Sequence, residues 1–317
     1  MTIAVFGSIN MDVTAYMERL PKPGETLQGR EYKLGLGGKG ANQAVAARKL
    51  GSDVRFICRL GADDFAKPAE RELASYGVDL ALVAKDKESA TGIAIINVGE
   101  GGENYISLIG GSNLGMDASD VERARPALEA AHVLLLQLEV PLEASLAAAA
   151  IVKAHGGIVI LDPAPAPKHG LSPAVLKAVD IITPNETEAG LILGWQPQSL
   201  EEGLKAAKEL RQRGVGIAVV KLGARGLAVA APDVETIIPA FTVTAIDTVA
   251  AGDSFNGGLA HALEQEMPIE EALRFAAACG ALSTTKKGAS AAAPTKAEVE
   301  AFLAKQPGFQ PAPERRT

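Results

Sequence analysis

Along the chain, short runs of Ile, Val and Leu alternate with longer stretches in which apolar residues recur every three or four positions. The runs IAVFG (3–7), VRFICRLG (54–61), HVLLLQLE (132–139), GIVILDP (157–163), DIITPN (180–185) and GIAVVKLG (216–223) are almost continuously apolar. That pattern predicts strands covered on both faces, because a strand with one wet face would alternate. Between them, GANQAVAARKLG (40–51), AKPAERELASYG (66–77), ASDVERARPALEAA (118–131), PLEASLAAAAIVKAHG (141–156) and SLEEGLKAAKELRQRG (199–214) carry helical spacing. Several of these end in Gly, which tolerates a left-handed C-cap. Strand and helix in this alternation predict a doubly wound, mostly parallel α/β sheet flanked by helices.

Two segments break the rhythm. AYMERLPKPGETLQGREYKL (15–34) and TGIAIINVGEGGENYISLIG (91–110) carry Pro-Gly and Gly-Gly turns and read as antiparallel hairpins. Together they predict a small β lid over about 12–34 and 91–110, within a single domain spanning 1–305. A sheet of few strands is marginal alone, so its exposed face suits packing on a second subunit as a homodimer. The Pro-rich, charged segment 306–317 reads as a flexible tail.

Composition narrows the partners more than the fold. With 31 basic and 38 acidic residues, the net charge of −7 argues against a broad nucleic-acid surface but leaves room for a local phosphate site. Two cysteines, Cys58 and Cys279, lie inside apolar runs and make neither a disulfide framework nor a zinc site. The N-terminus has no signal-peptide pattern, and no run approaches the ~18 apolar residues of a membrane span. A soluble, cytoplasmic protein with no membrane contact is expected.

Candidate chemistry sits in the turns. GLGGKGAN (35–42) formally contains G-x-G-x-x-G at Gly35, Gly37 and Gly40, but polar REYKL precedes it where a dinucleotide site needs an apolar strand. It is not a phosphate-binding Walker loop either, since no Ser or Thr follows Lys39. A tight turn presenting Lys39 and Asn42 to a polar small molecule fits better. GSINMD (7–12) closes the first strand with Asn10 and Asp12 two apart, hence on one side of an extended chain; turn chemistry explains them equally well. Glu139 closes another apolar run, as a ligand contact or as an acid before the next helix. In TPNETEAG (183–190), Asn185 and Glu188 fit a capping box or, alternatively, oxygen ligation of Mg²⁺ on nucleotide phosphates. VVKLGARG (219–226) sets Lys221 and Arg225 around glycines, a hairpin turn or a nucleotide contact.

DTVAAGDSFNGG (247–258) is the most informative stretch. Three residues with almost no side chain, Ala250, Ala251 and Gly252, precede Asp253 where a helix begins. Their N–H groups with that of Asp253 would form an anion site at the positive end of the helix. A carboxylate there repels a phosphate unless it does chemistry. Phosphoryl transfer makes sense of it, with Asp253 taking the proton of an attacking hydroxyl; an N-cap is the plainer reading.

GSINMD, GGKGAN, PNETE and DTVAAGDSFNG, in this order, resemble the motifs of the ribokinase family of sugar kinases, over roughly residues 3–305. The resemblance implies a β lid that is often a dimer clasp, and ATP-dependent phosphorylation of a sugar hydroxyl, with ribose to ribose 5-phosphate the expected reaction. It places Asn10, Asp12, Gly38, Lys39, Asn42 and Glu139 at the sugar and Asp253 as catalytic base. Ala250, Ala251 and Gly252 become the anion hole, and Asn185, Lys221, Gly223, Gly226 and Gly252 lie near ATP. Glu188 manages Mg²⁺ through water. A K⁺ site would use Asp247, Val249, Gly288 and Ser290, although Ala292 stands where the family commonly has Ser. Lys221 departs from the more usual Thr. Alternatives are a kinase for another sugar or a nucleoside (2-keto-3-deoxygluconate, fructose, adenosine), or a non-catalytic sensor of sugar or nucleotide.

Overall fold

A computed structural model describes residues 1–101 and 103–306; the expected tail lies, apart from Gln306, outside the described residues. In chain order the elements are β1 (Thr2–Phe6), β2 (Asn10–Tyr16), β3 (Glu31–Gly37), α1 (Lys39–Lys49), β4 (Asp53–Gly61), α2 (Ala66–Ser75), β5 (Val83–Asp86), β6 (Gly92–Val98) and β7 (Asn104–Ile109). They continue as α3 (Ala118–Glu129), β8 (Val133–Leu136), α4 (Leu142–Ala154), β9 (Ile158–Leu161), α5 (Pro173–Ala178), β10 (Ile181–Ile182), α6 (Glu186–Leu193), α7 (Leu200–Gln212) and β11 (Ile217–Lys221). The last part holds β12 (Gly226–Ala230), β13 (Glu235–Pro239), α8 (Ala251–Glu264), α9 (Ile269–Ser283) and α10 (Lys296–Leu303).

The main sheet runs β13-β12-β11-β10-β9-β8-β1-β4-β5. It is parallel from β11 to β5, with β12 and β13 added antiparallel at one edge. Residues alternate strictly between two cores: Ile3 and Val5 of β1 face α1, α2, α8, α9 and α10, while Ala4 and Phe6 face α3 to α7. Both faces are therefore dry, which is why these strands are apolar without alternation. No helix among the described residues is long and apolar enough to cross a membrane.

A second sheet, β3-β2-β6-β7, stands apart. The two hairpins join through parallel pairing of β2 with β6. One expectation is corrected here. Asn10 and Asp12 do not close the first strand; β1 ends at Phe6, and Asn10 opens β2, so both residues belong to the lid. Gly35 and Gly37 likewise lie on a lid strand, antiparallel to β2, which removes the strand-turn-helix setting a dinucleotide site requires.

Helices α1 and α8 cross unusually closely. A Cβ on Gly257 would stand 2.6 Å from Ala46 Cβ and 2.9 Å from the Ala47 nitrogen. Alanine is the better helix former by roughly 0.5–1 kcal/mol, but overpacking a tight core costs about 1–3 kcal/mol. Gly257→Ala is therefore expected to lower the denaturant midpoint, measured by urea unfolding followed by circular dichroism; an unchanged or raised midpoint would contradict this packing.

Candidate active site

The α1–α8 crossing brings polar side chains of both helices together one turn from the contact. Asn42 Nδ2 donates to Asp253 Oδ2 at 3.0 Å, and Gln43 Nε2 donates to Asp253 Oδ1 at 3.1 Å. The same Gln43 nitrogen reaches Asp162 Oδ2 at 3.0 Å, while Gln137 Nε2 donates to Gln43 Oε1 at 2.7 Å and fixes the amide's orientation. Asp253 is the third residue of α8, not its cap. The N-cap is Ala250, and no side chain caps this helix. The N-cap reading of the acid thus fails on geometry, because its carboxylate turns away from its own helix toward α1.

Ala250 adopts φ 57°, a left-handed conformation. The Ala251 N–H bends back to the Thr248 carbonyl at 3.3 Å, and Ser254 N–H enters the helix ladder through Ala250 at 2.9 Å. Of the N–H groups expected in the anion hole, that of Ala251 is thus engaged, while those of Ala250, Gly252 and Asp253 have no acceptor among the described residues. A cleft of about 710 Å³ opens before this helix end. Lys39, Asp162, Asn185, Glu188, Lys221, Gly223, Gly226 and residues 250–253 line it, and Ile238, Pro239, Phe241, Val243 and Ala281 form its apolar part.

On the lid side, Asn10 Oδ1 accepts from Asn113 Nδ2 at 2.7 Å, and Asn113 also holds the Ile9 N–H at 2.9 Å. The Asp12 carboxylate fills the space where a Cβ of Gly37 would stand. Gly38 takes φ 87° and lies against the backbone of Ile9 and Asn10, starting α1 at Lys39. Glu139 Oε2 accepts from Ser8 Oγ at 2.6 Å and from the Lys39 N–H at 3.0 Å.

The electrostatics are dominated by acids. Burial pushes Asp253 up to about 6; Lys39 pulls it down and Asp162 pushes it further up, while the amides of Gln43 and Asn42 favour its charged form. Burial, then Glu139, Glu72 and Asp253, push Asp12 to about 7. Burial alone would lower Lys39, but the surrounding Asp253, Asp162, Glu139 and Glu188 outweigh it and hold the ammonium charged. Burial raises Glu188 and Lys221 opposes that rise.

Several sequence-predicted residues serve a structural and a cleft position at once. Asn185 and Glu188 form a complete capping box on α6, at 2.8 Å in each direction, and both still line the cleft. No cluster of three or more His, Cys, Asp or Glu able to hold a metal occurs among the described residues. Glu188 thus fits an ion carried mainly by phosphates and water, not a protein-built cage. Arg225 turns to Glu186 at 2.7 Å and to the Gln198 carbonyl. Asp247 accepts from the N–H groups of Val249 and Gly288, both at 3.0 Å, and so joins the two loops expected at a monovalent cation. The Ser290 hydroxyl donates to Asn42 Oδ1 at 2.7 Å, which links its loop to the Asp253 cluster as well. Gln43, Gln137, Asp162 and Asn113 were not singled out. Asp162 closes the apolar run GIVILDP just as Glu139 closes its own, and that parallel was the available signal.

A model of the pfkB family carbohydrate kinases matches residues 2–296. The ribokinase of Haemophilus influenzae is 42% identical over 302 residues, covering 95% of this chain and 98% of its own. The deoxyribokinase of Salmonella typhi is 37% identical, covering 96% of this chain and 99% of its own. The solved structure of Arabidopsis thaliana ribokinase complexed with ribose and ATP superposes with a TM-score of 0.85 at 32% identity, covering 96% of this chain and 99% of that one.

In the free protein, carbon-13 detected titration of the aspartate carboxyls is expected to place Asp253 near 6 and Asp12 near 7. Values at the ordinary aspartate position of about 3.9 would contradict the burial argument.

Proposed function

The chain belongs to the pfkB family of carbohydrate kinases, and we propose that it transfers the γ-phosphoryl group of ATP to the 5-hydroxyl of D-ribose, giving ribose 5-phosphate and ADP. The observation that carries this reading is a buried carboxylate, Asp253, oriented by Asn42 and Gln43 beside the open N-terminus of α8. The sugar lies between the lid and the main domain, its hydroxyls donating to Asp12, Asn10 and Glu139, with Gly38, Lys39 and Asn42 closing the pocket. Asp253 accepts the proton of the attacking hydroxyl as its oxygen bonds to the γ-phosphorus. The N–H groups of Gly252 and Asp253 stabilise the charge that develops on the phosphoryl oxygens. Asn185, Gly223 and Gly226 flank the ATP phosphates, and the apolar part of the cleft takes the adenine.

Mg²⁺, when bound, neutralises phosphate charge, and Glu188 would hold it through water. Asp247, with carbonyls of the Val249 and Gly288 loops, would hold K⁺; the hard oxygen set suits such an ion. An ATP consumer with two buried free thiols fits the cytoplasm. The Salmonella typhi relative favours deoxyribose as the second substrate to test.

An ADP-release panel over ribose, deoxyribose, fructose, 2-keto-3-deoxygluconate and adenosine, in Na⁺ and then K⁺, is expected to show ribose turned over best and faster in K⁺. Turnover should fall as pH drops through about 6, because the base must be unprotonated. Asp253→Asn and Asp253→Ala are expected to lose turnover while keeping ribose binding by calorimetry. Near-normal rates in either would sink the mechanism.

The lid also supports a homodimer. Tyr32 is 71% exposed and Tyr105 62%, and the register puts them on one face of the sheet with exposed Leu34, Ile95 and Ile109. Such clustered apolar surface on one small sheet marks an interaction face. Light scattering should give twice the chain mass, and Tyr32→Glu with Tyr105→Glu, both on the same face, should give the monomer. A wild-type monomer at micromolar concentration would refute this assembly.

A further inference from the structure

Lys221 is paired in a way that the phosphate-contact reading leaves unexplained. It ends β11 with its side chain 14% exposed, and its Nζ lies 3.0 Å from Oδ1 of Asp162, whose side chain is 2% exposed. The same ammonium would lie 3.3 Å from a Cβ on Gly252, at the mouth of the anion hole. The other Asp162 oxygen shares the Gln43 amide with Asp253. Ammonium, carboxylate, amide and catalytic base therefore form one buried chain.

An ion pair kept for stability alone has little reason to stand there. Desolvation consumes much of the attraction of a buried pair, and apolar replacements commonly match it. The position, by contrast, is where negative charge develops during transfer. An ammonium has three donors; Asp162 takes one and leaves others for the cleft. Lys221 and the helix end would act on the same oxygens.

Resting on the phosphoryl-transfer reading, we propose that Lys221 is a catalytic residue that contacts the transferring phosphoryl group, and that Asp162 is the positioning residue that holds its ammonium beside Gly252. Lys221 transfers nothing. The sugar oxygen bonds to phosphorus, the bond to the β-phosphate oxygen breaks with its electron pair leaving on ADP, and the proton passes to Asp253. The fixed positive charge stabilises the equatorial oxygens while this happens.

The test compares Lys221→Met, Asp162→Asn and the double variant Asp162→Asn/Lys221→Met. Lys221→Met is expected to lower kcat by about 100-fold to 1,000-fold, the loss typical of one transition-state donor. Ribose affinity should be unchanged, and affinity for ADP with aluminium fluoride should fall by more than affinity for a non-hydrolysable ATP analogue. Asp162→Asn should show a smaller loss of kcat. The double variant removes both charges and with them any uncompensated buried ion, so it should fold even if a single variant does not. Its kcat is expected to stay as low as that of Lys221→Met. Recovery of wild-type kcat in the double variant, or equal loss of affinity for both nucleotide mimics, would overturn the proposal and leave a structural ion pair. Absence of ADP release from the unaltered protein with every sugar would instead overturn the kinase reading itself.

Discussion

The site depends on how closely α1 and α8 approach each other. Gly257 meets Ala46 and Ala47 with no room for a methyl group. Asp253 lies one turn before Gly257, and Asn42 and Gln43 lie about one turn before Ala46 and Ala47. Side chains one turn apart share a helical face, so a single crossing point sets both sides of the Asp253 cluster. The start of α1 is fixed just as tightly, since a Cβ on Gly40 would lie 2.6 Å from the Ser8 backbone. Small residues at these places are thus geometric requirements, and the hydrogen bonds to Asp253 follow from them.

That geometry concentrates like charge. Asp162, Asp253, Glu139 and Glu188 surround Lys39, with Lys221 on Asp162 and Glu188, an excess that the fold tolerates because amides and backbone N–H groups offset it. Sugar hydroxyls need acceptors, and Asp12 on the lid with Glu139 after β8 are carboxylates that would serve. Phosphates need the reverse, and the other side supplies a helix N-terminus and an ammonium. The elevated pKa values of Asp12 and Asp253 record burial first and the neighbouring carboxylates second. For Asp253 that elevation also makes it a better proton acceptor than an exposed aspartate.

Most of the main sheet was legible because its strands are dry on both faces, and the hairpins because their turns carry Pro-Gly and Gly-Gly. The antiparallel edge was harder to read. Between Gly226 and Pro239 it is one more apolar hairpin, with no periodicity to tell it from a buried loop. Within the site, Asp253, Lys39 and Glu139 stood out because each breaks a local pattern. Gln43 did not, since an amide beside Asn42 in an Ala-rich helix looks like any surface residue until α8 packs on it. The link from Ser290 to Asn42 was hidden for a related reason: the hydrogen bond joins residues far apart in sequence, and no local pattern announces it. Asn185 and Glu188 posed a false choice, for a capping box can also face a cleft.

Ala250 shows how a local rule is broken at this site. A left-handed alanine costs about 1–2 kcal/mol relative to ordinary backbone, and such strain persists only where its surroundings over-determine it. Here the surroundings are Asp247 and Thr284. Asp247 holds the N–H groups of Val249 and Gly288, while the Thr284 carbonyl at the end of α9 takes the N–H groups of Ile246 and Asp247. The segment before α8 is tied on both sides, and the strained residue is where it turns into the helix. The strain is what lets the chain enter α8 with the N–H groups of Gly252 and Asp253 facing the cleft. Asp247 is therefore tied to Gly252, at the start of α8, through the four intervening residues 248–251, with or without a cation. An ion bound beside it would act on phosphoryl transfer through that same short segment.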